Sequence, residues 1–319
     1  MSLPSETQGM DPLNRMATEL VDEAIDFADE LAIAVQQLDS EATVLDFGVH
    51  VPGGIEAGLM LAEIQTAGLA TLDTTLDAIE HTPRTHVELT TDYPGLALLG
   101  SQKAGWELSV DDFEGLGSGP ARALVAEEEE FSRLGYRDDF EFAVLALEAE
   151  TLPEAGVVSE VADRAGVPES GVFLPTYATA SLTGSVTAAA RAAELAVFRL
   201  SELGYDPLDV LSASASAPVA PVADGEAAAM ARTTDALAYG GQVHLVVSEP
   251  FDRFDEVVST APESYGEPFE AIFESVDWTL EDLPTDLFAP AQLTVDVVGG
   301  DTYVYGQRRE DLLAESFGL

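Results

Sequence analysis

Apolar residues Leu20, Ala24, Ile25, Ala28, Leu31, Ala32 and Val35 recur at helical spacing through residues 14–37, with Glu19, Asp22, Glu23, Asp26, Asp29 and Glu30 between them. Side chains three and four apart share a helix face, so this rhythm predicts an amphipathic helix. Residues 43–51 (TVLDFGVHV) are rich in β-formers and end at Pro52-Gly53-Gly54, which predicts a strand followed by a short helix over 56–69. Further strands are expected at 86–91, 142–148, 172–175, 242–248, 293–298 and 302–305. Helices are expected at 152–165, 181–203, 227–239 and 309–317, with short ones near Phe254 and Pro268; the longest is closed by Gly204. Residues 212–223 (SASASAPVAPVA), small and twice interrupted by proline, predict either a linker or a tight turn beside a ligand. Residues 1–13 are polar and contain a second methionine, Met10, and are expected to be a flexible tail. Helices and strands alternate without a regular βαβ period or a repeat, which is the pattern of a mixed α/β chain of the α+β class.

Composition adds the environment. The chain has 319 residues, 46% of them apolar, enough for a sizeable core and one large or two medium domains. Acidic residues number 59 against 13 basic, a net charge of −46 spread along the whole chain. Such a charge disfavours the compact state in dilute buffer, whereas at about 1 M salt the screening length is roughly 3 Å and surface carboxylates hardly sense one another. Lys103 is the only lysine. The sequence therefore reads as adapted to molar salt. Nucleic acid and anionic membranes are unsuitable partners, since they need clustered basic residues, and a cationic ligand suits the field better. With no cysteine there is no disulfide, thiolate metal site or cysteine nucleophile. No apolar run approaches the roughly 20 residues of a membrane span, and the acidic start is not a signal peptide, so a cytoplasmic location is expected.

Four constellations carry candidate chemistry. Lys103 stands in Gly100-Ser101-Gln102-Lys103-Ala104-Gly105-Trp106, where it either meets an anionic arm of a ligand or holds a turn through a carboxylate. Residues 115–122 (GLGSGPAR) are glycine-rich; Gly117 and Ser118 could let backbone approach a ligand and Arg122 could clamp an anion, although neither the dinucleotide nor the P-loop spacing is met. Arg191 and Glu194, three apart on the long helix, share a face with Thr183, Gly184, Ser185 and Thr187 nearby; spacing alone fits a surface ion pair better than an acid/base pair. Arg232 and Asp235 repeat that spacing. The histidines His50, His81, His86 and His244 are dispersed without metal-ligand spacing, and no GxSxG serine elbow occurs, so no metal is expected.

Longer strings go further. Residues 44–53 (VLDFGVHVPG), 99–106 (LGSQKAGW), 116–124 (LGSGPARAL) and 181–186 (SLTGSV) followed by Ala190-Arg191 and Glu194, then 217–221 (APVAP), 230–241, 288–291 (FAPA) and 316–318 (SFG), resemble in order the methenyltetrahydromethanopterin cyclohydrolase family. The resemblance runs from about Asn14 to Leu319. It implies two mixed α/β domains around a deep pocket, here divided as 14–99 with 223–319 and 100–222, in a homo-oligomer that is a trimer in the family. It implies a cytoplasmic archaeal enzyme that reversibly hydrolyses a methenyl bridge to the formyl derivative, with tetrahydromethanopterin as substrate carrier and no catalytic cofactor. Glu194 falls where the family has its base and Arg191 beside it; Ser101, Gln102, Lys103, Gly117, Ser118, Arg122, Thr183, Arg232, Asp235 and Phe288 become substrate-binding candidates. Two departures, Thr234 where the family usually has asparagine and serines where glycines are usual in residues 212–217, leave open a pterin-binding protein without catalysis, and the salt adaptation leaves open a tetrahydrofolate-type substrate.

Overall fold

The computed structural model describes residues 11–279 and 282–319; residues 1–10 of the expected tail lie outside the described residues. Helix α1 (Leu13–Asp26) opens one residue before Asn14, with Leu13 buried. Leu13, Ala17, Val21 and Ala24 form its buried stripe. The expected helix to residue 37 stops early, because α2 (Ala28–Leu31) ends at Ala32, which takes a left-handed φ of 54°, and the next residues become strand β1 (Ala34–Gln37). Val35 pairs across from Leu45 of β2 (Thr43–Asp46) instead of extending the helix stripe.

Two mixed sheets organise the molecule. The first contains β1, β2, β5 (Ala104–Val110), β6 (Phe113–Ser118), β7 (Ala143–Val144), β8 (Ala146–Glu148) and β9 (Val172–Tyr177) in the order β1-β2-β9-β8-β6-β5, with β7 also on β9. Strands β2, β8 and β9 run parallel, with Asp46 beside Thr176 and Glu148 beside Tyr177. The second has the order β13 (Thr302–Gly306), β12 (Gln292–Val297), β11 (Gln242–Val247), β10 (Val210–Pro218), β4 (Thr82–Thr91), β3 (Thr71–Ile79), antiparallel except between β11 and β12. The α+β class expected from the sequence is the class observed. The sheets, however, cut the chain differently from the division at 99/100 and 222/223. Strand β2 pairs with β9 of the expected second domain, and β10 sits between β4 and β11 of the expected first. Residues 212–217 are thus neither linker nor turn: Ala213 and Ala217 enter the core while Ser212, Ser214 and Ser216 take the opposite face, the period of two of a strand.

Helices α1 and α3 (Ile55–Gln65) cover one face of the first sheet and α6 (Ala155–Ala165) the other. Short helices α4 (Ala121–Val125) and α5 (Glu129–Leu134) connect β6 to β7. Helices α7 (Leu182–Ala189) and α8 (Ala192–Glu202), with a buried π-helix at Gly95–Gln102, pack on the second sheet through Val186, Ala193, Ala196, Val197 and Leu98. Helices α9 (Glu226–Gly240), α10 (Ala261–Ser264), α11 (Phe269–Ser275) and α12 (Glu310–Phe317) form a further cluster around Tyr239, Phe269 and Phe273. Among the described residues no helix is long and apolar enough to cross a membrane.

Candidate active site

The helix expected at 181–203 is two helices. Ser181 caps α7, its Oγ accepting from the Gly184 N–H at 2.9 Å. The chain then breaks at Ala190 (ψ −6°) and Arg191 (ψ 0°), and α8 starts at Ala192. Arg191 is therefore the N-cap residue of α8 and Glu194 lies in its first turn. The break frees the Ala190 carbonyl, which accepts from Gln102 Nε2 at 3.3 Å. Arg191 donates from Nε to Oε2 of Glu194 at 2.9 Å, and its Nη2 lies 2.8 Å from the same oxygen. Among the described residues nothing donates to Oε1 of Glu194, although the residue is only 2% exposed. Burial works against the charge on Arg191, but Glu194, Tyr177 and Glu148 outweigh it and hold the guanidinium protonated.

The parallel strands deliver the rest. Their carboxyl ends meet at one edge, the usual place for ligand crevices in α/β sheets. After β2, Asp46 gathers the N–H groups of Gly48 (3.0 Å), Val49 (2.7 Å) and His50 (3.0 Å), shaping the loop to Gly54. That loop lies on the start of α7: Gly54 N–H donates to Thr183 Oγ1 at 3.2 Å, and Gly53, at φ +58°, comes so close that a Cβ there would stand 2.2 Å from the same oxygen. After β9 and β8, Tyr177 donates to Glu148 Oε2 at 3.4 Å and Thr179 hydrogen-bonds Oε1. Burial, then the Glu148 carboxylate, pushes the Tyr177 phenol far up, so it stays neutral.

The π-helix closes the cluster. Its wide turn, with Lys103 N–H bonding Leu98 O five residues back at 2.7 Å, presents Ser101 and Gln102. Ser101 Oγ donates to the Gln65 carbonyl (2.5 Å), and Gln65 Nε2 donates to Ser118 Oγ (2.9 Å). Three buried polar atoms lack a partner among the described residues: Gln65 Oε1, Gln102 Oε1 and Thr187 Oγ1. Buried polar atoms are normally satisfied, so these three are open to a bound water or ligand. The arrangement offers a carboxylate with one free oxygen, a fixed cation and several acceptors, suited to positioning and deprotonating a small nucleophile.

The family description "Cyclohydrolase (MCH)" matches residues 12–317. The chain belongs to this family. It is 61% identical over 310 residues to the methenyltetrahydromethanopterin cyclohydrolase of Halobacterium salinarum, covering 97% of this chain and all of the relative. The proteins of the same name from Methanocella arvoryzae and Methanospirillum hungatei are 37% and 35% identical, each over 96% of this chain and 98% of the relative.

Within this cyclohydrolase-family fold the sequence-derived candidates divide. Arg191, Glu194, Ser101, Gln102 and Ser118 converge, with Gly117 beside Ser118 on β6 and Thr183 at the start of α7. Lys103 is near but engaged: its Nζ is 3.2 Å from Glu130 and 4.9 Å from the Phe198 ring, one turn along α8 from Glu194. Arg122, expected as an anion clamp, is engaged by the protein itself. It is fully buried, bonded to the carbonyls of Leu99, Ser101 and Lys103 and to the Glu128 carboxylate. Arg232 and Asp235 do not pair. Arg232 reaches Val222 O at 3.5 Å, while Asp235 accepts from Phe269 N–H (2.9 Å) and Ser316 Oγ (2.6 Å), tying α9 to α11 and α12. Phe288 packs on Phe273 and Phe269 in that cluster. Gln65, Tyr177 and Glu148 were not singled out from the sequence; their signal is only that polar residues stand where a helix and two strands end.

Proposed function

We propose that this chain reversibly hydrolyses the methenyl bridge of methenyltetrahydromethanopterin to the formyl derivative, with Glu194 as the proton carrier. The observation that carries the reading is the Arg191–Glu194 pair at the α7–α8 break, with Glu194 buried and its Oε1 without a donor among the described residues. The substrate carbon lies between two nitrogens in a delocalised cation and is already electrophilic. The chain's task is to hold a water against it and remove a proton as the C–O bond forms. Glu194 takes that proton while the C=N π pair returns to nitrogen and cancels the positive charge. It then gives a proton to the departing nitrogen, the C–N pair leaves with that nitrogen, and the hydroxyl collapses to the formyl C=O. The proton released from the hydroxyl is the net proton of the reaction and passes to solvent. Arg191 orients the carboxylate through a hydrogen bond and an ion-pair contact to the oxygen that does not react.

The same reading includes a cytoplasmic homo-oligomer, a trimer as the resemblance implies, in a salt-loving archaeal cell; the net charge of −46 and the Halobacterium relative support the salt adaptation. The methanopterin form of the substrate is favoured over a folate because the relatives carry that name. The test is loss of the methenyl chromophore in molar salt, with the methanopterin and folate substrates side by side. Turnover on the methanopterin substrate is expected to exceed that on the folate. Binding of either without decay of the chromophore would instead identify a pterin-sequestering protein.

A further inference from the structure

We infer that Gln102 is the second acceptor for the attacking water, sharing it with Glu194; this rests on the methenyl hydrolysis proposed above. Gln102 is fully buried in the last turn of the π-helix. The orientation of its amide follows from its neighbour. Ala190 O can only accept, so the atom 3.3 Å from it is the amide nitrogen, and the oxygen is the atom left over. That oxygen is buried and has no partner among the described residues. An acceptor stranded in this way is unfavourable, and a bound donor would relieve it.

Its location decides which donor. Ala190 immediately precedes Arg191, the N-cap of α8, and Glu194 follows in the first turn, so the Gln102 amide is fastened to the junction that carries the reacting pair. A water molecule has two O–H groups. With one directed at the free Oε1 of Glu194 and the other at Gln102 Oε1, its lone pairs face away from both acceptors, toward the methenyl carbon. Glu194 takes the first proton as the C–O bond forms. Gln102 takes none; it holds the second O–H until the C–N bond breaks and that hydrogen leaves as the net proton. The unbroken-helix alternative would have used the Ala190 carbonyl internally and left Gln102 without an anchor.

The experiment compares Gln102→Met, which keeps length but removes the acceptor and the donor, with Gln102→Glu, which restores an acceptor oxygen but not the N–H to Ala190. Methenyl hydrolysis and thermal melting are followed in molar salt. The expected result for Gln102→Met is kcat lower by about 10²-fold, the scale of a misplaced nucleophile, with KM within about twofold of the parent. Gln102→Glu is expected to recover about tenfold or more of that loss, and it alone decides the matter if Gln102→Met does not melt cooperatively. An unchanged kcat, a rise confined to KM, which would mean that the oxygen binds a substrate N–H, or a Gln102→Glu variant no faster than Gln102→Met would each overturn the inference. A parent protein inactive on every methenyl substrate would instead overturn the proposed function itself.

Discussion

Arg122 donates to three backbone carbonyls and to Glu128 from a fully buried position, and so holds the exit of the π-helix against the start of α4. Removing a buried cation leaves its partners without donors, which typically costs about 3–5 kcal/mol. Arg122→Met is therefore expected to lower the melting temperature strongly in molar salt; a melt within a degree of the parent would assign the clamp no structural weight. In the sequence, Arg122 beside glycines suggested an anion clamp because only its type and neighbours are visible there. The carbonyls that occupy it belong to residues about twenty positions earlier, brought back by the β5–β6 hairpin. Lys103 had two open readings, and the structure supplies the carboxylate of the bland one in Glu130. Arg191 and Glu194 were legible because their interaction is local. Gln65, Tyr177 and Glu148 were not, since each joins the cluster only through the pairing of β8 with β9 and the docking of α3.

Asp235 shows an element-scale role. It sits on α9, 1% exposed, and joins the α11 backbone to Ser316 of α12. Burial raises its acid from 3.8 to about 7 even though Ser316 and the Phe269 N–H favour the ionised form. A folded-state value above the unfolded one means that the folded chain binds the extra proton. Its stabilising effect is full below about pH 4 and is lost as pH rises to about 7, on the order of a few kcal/mol. Asn in its place can still accept from Phe269 and donate to Ser316 Oγ, without the ionisation. The melting temperature of Asp235→Asn minus that of the parent is thus expected to climb between pH 5 and 8 and then level; a difference independent of pH would refute this role. At this scale the periodic helices α1, α6 and α9 were legible, their ends less so. The alanine-rich 181–203 run carries no proline and no glycine near the break, and the bend at Ala190 is held by a side chain from the π-helix. Strand β10 was hidden because Ala and Ser have weak β preference and earn their place by packing close under α8.

Helix α3 packs on both sheets, and α7, α8 and the π-helix pack on the second beside it, with Glu194 buried among them. The class was legible from alternating elements, but the partition was not. Pairings such as Asp46 with Thr176 join residues far apart in the chain, and no local pattern announces them. Around this interior lies a net charge of −46, and most ion pairs among the described residues have at least one exposed partner, where each contributes little. Screening the repulsion should matter more than any pair. The melting temperature is expected to rise by about 10 °C or more between roughly 0.1 M and 2 M KCl, and an equally cooperative, unshifted melt in dilute buffer would refute the salt adaptation. The proposed chemistry needs Oε1 of Glu194, which has no donor among the described residues, and its most direct measurement is methenyl hydrolysis by Glu194→Gln in molar salt. That variant keeps the size of the side chain and an acceptor for Arg191 but cannot take a proton. The expected result is kcat lower by about 10³-fold or more with an unchanged melt, at the upper part of the range for losing an acid/base group; turnover within about threefold of the parent would contradict it.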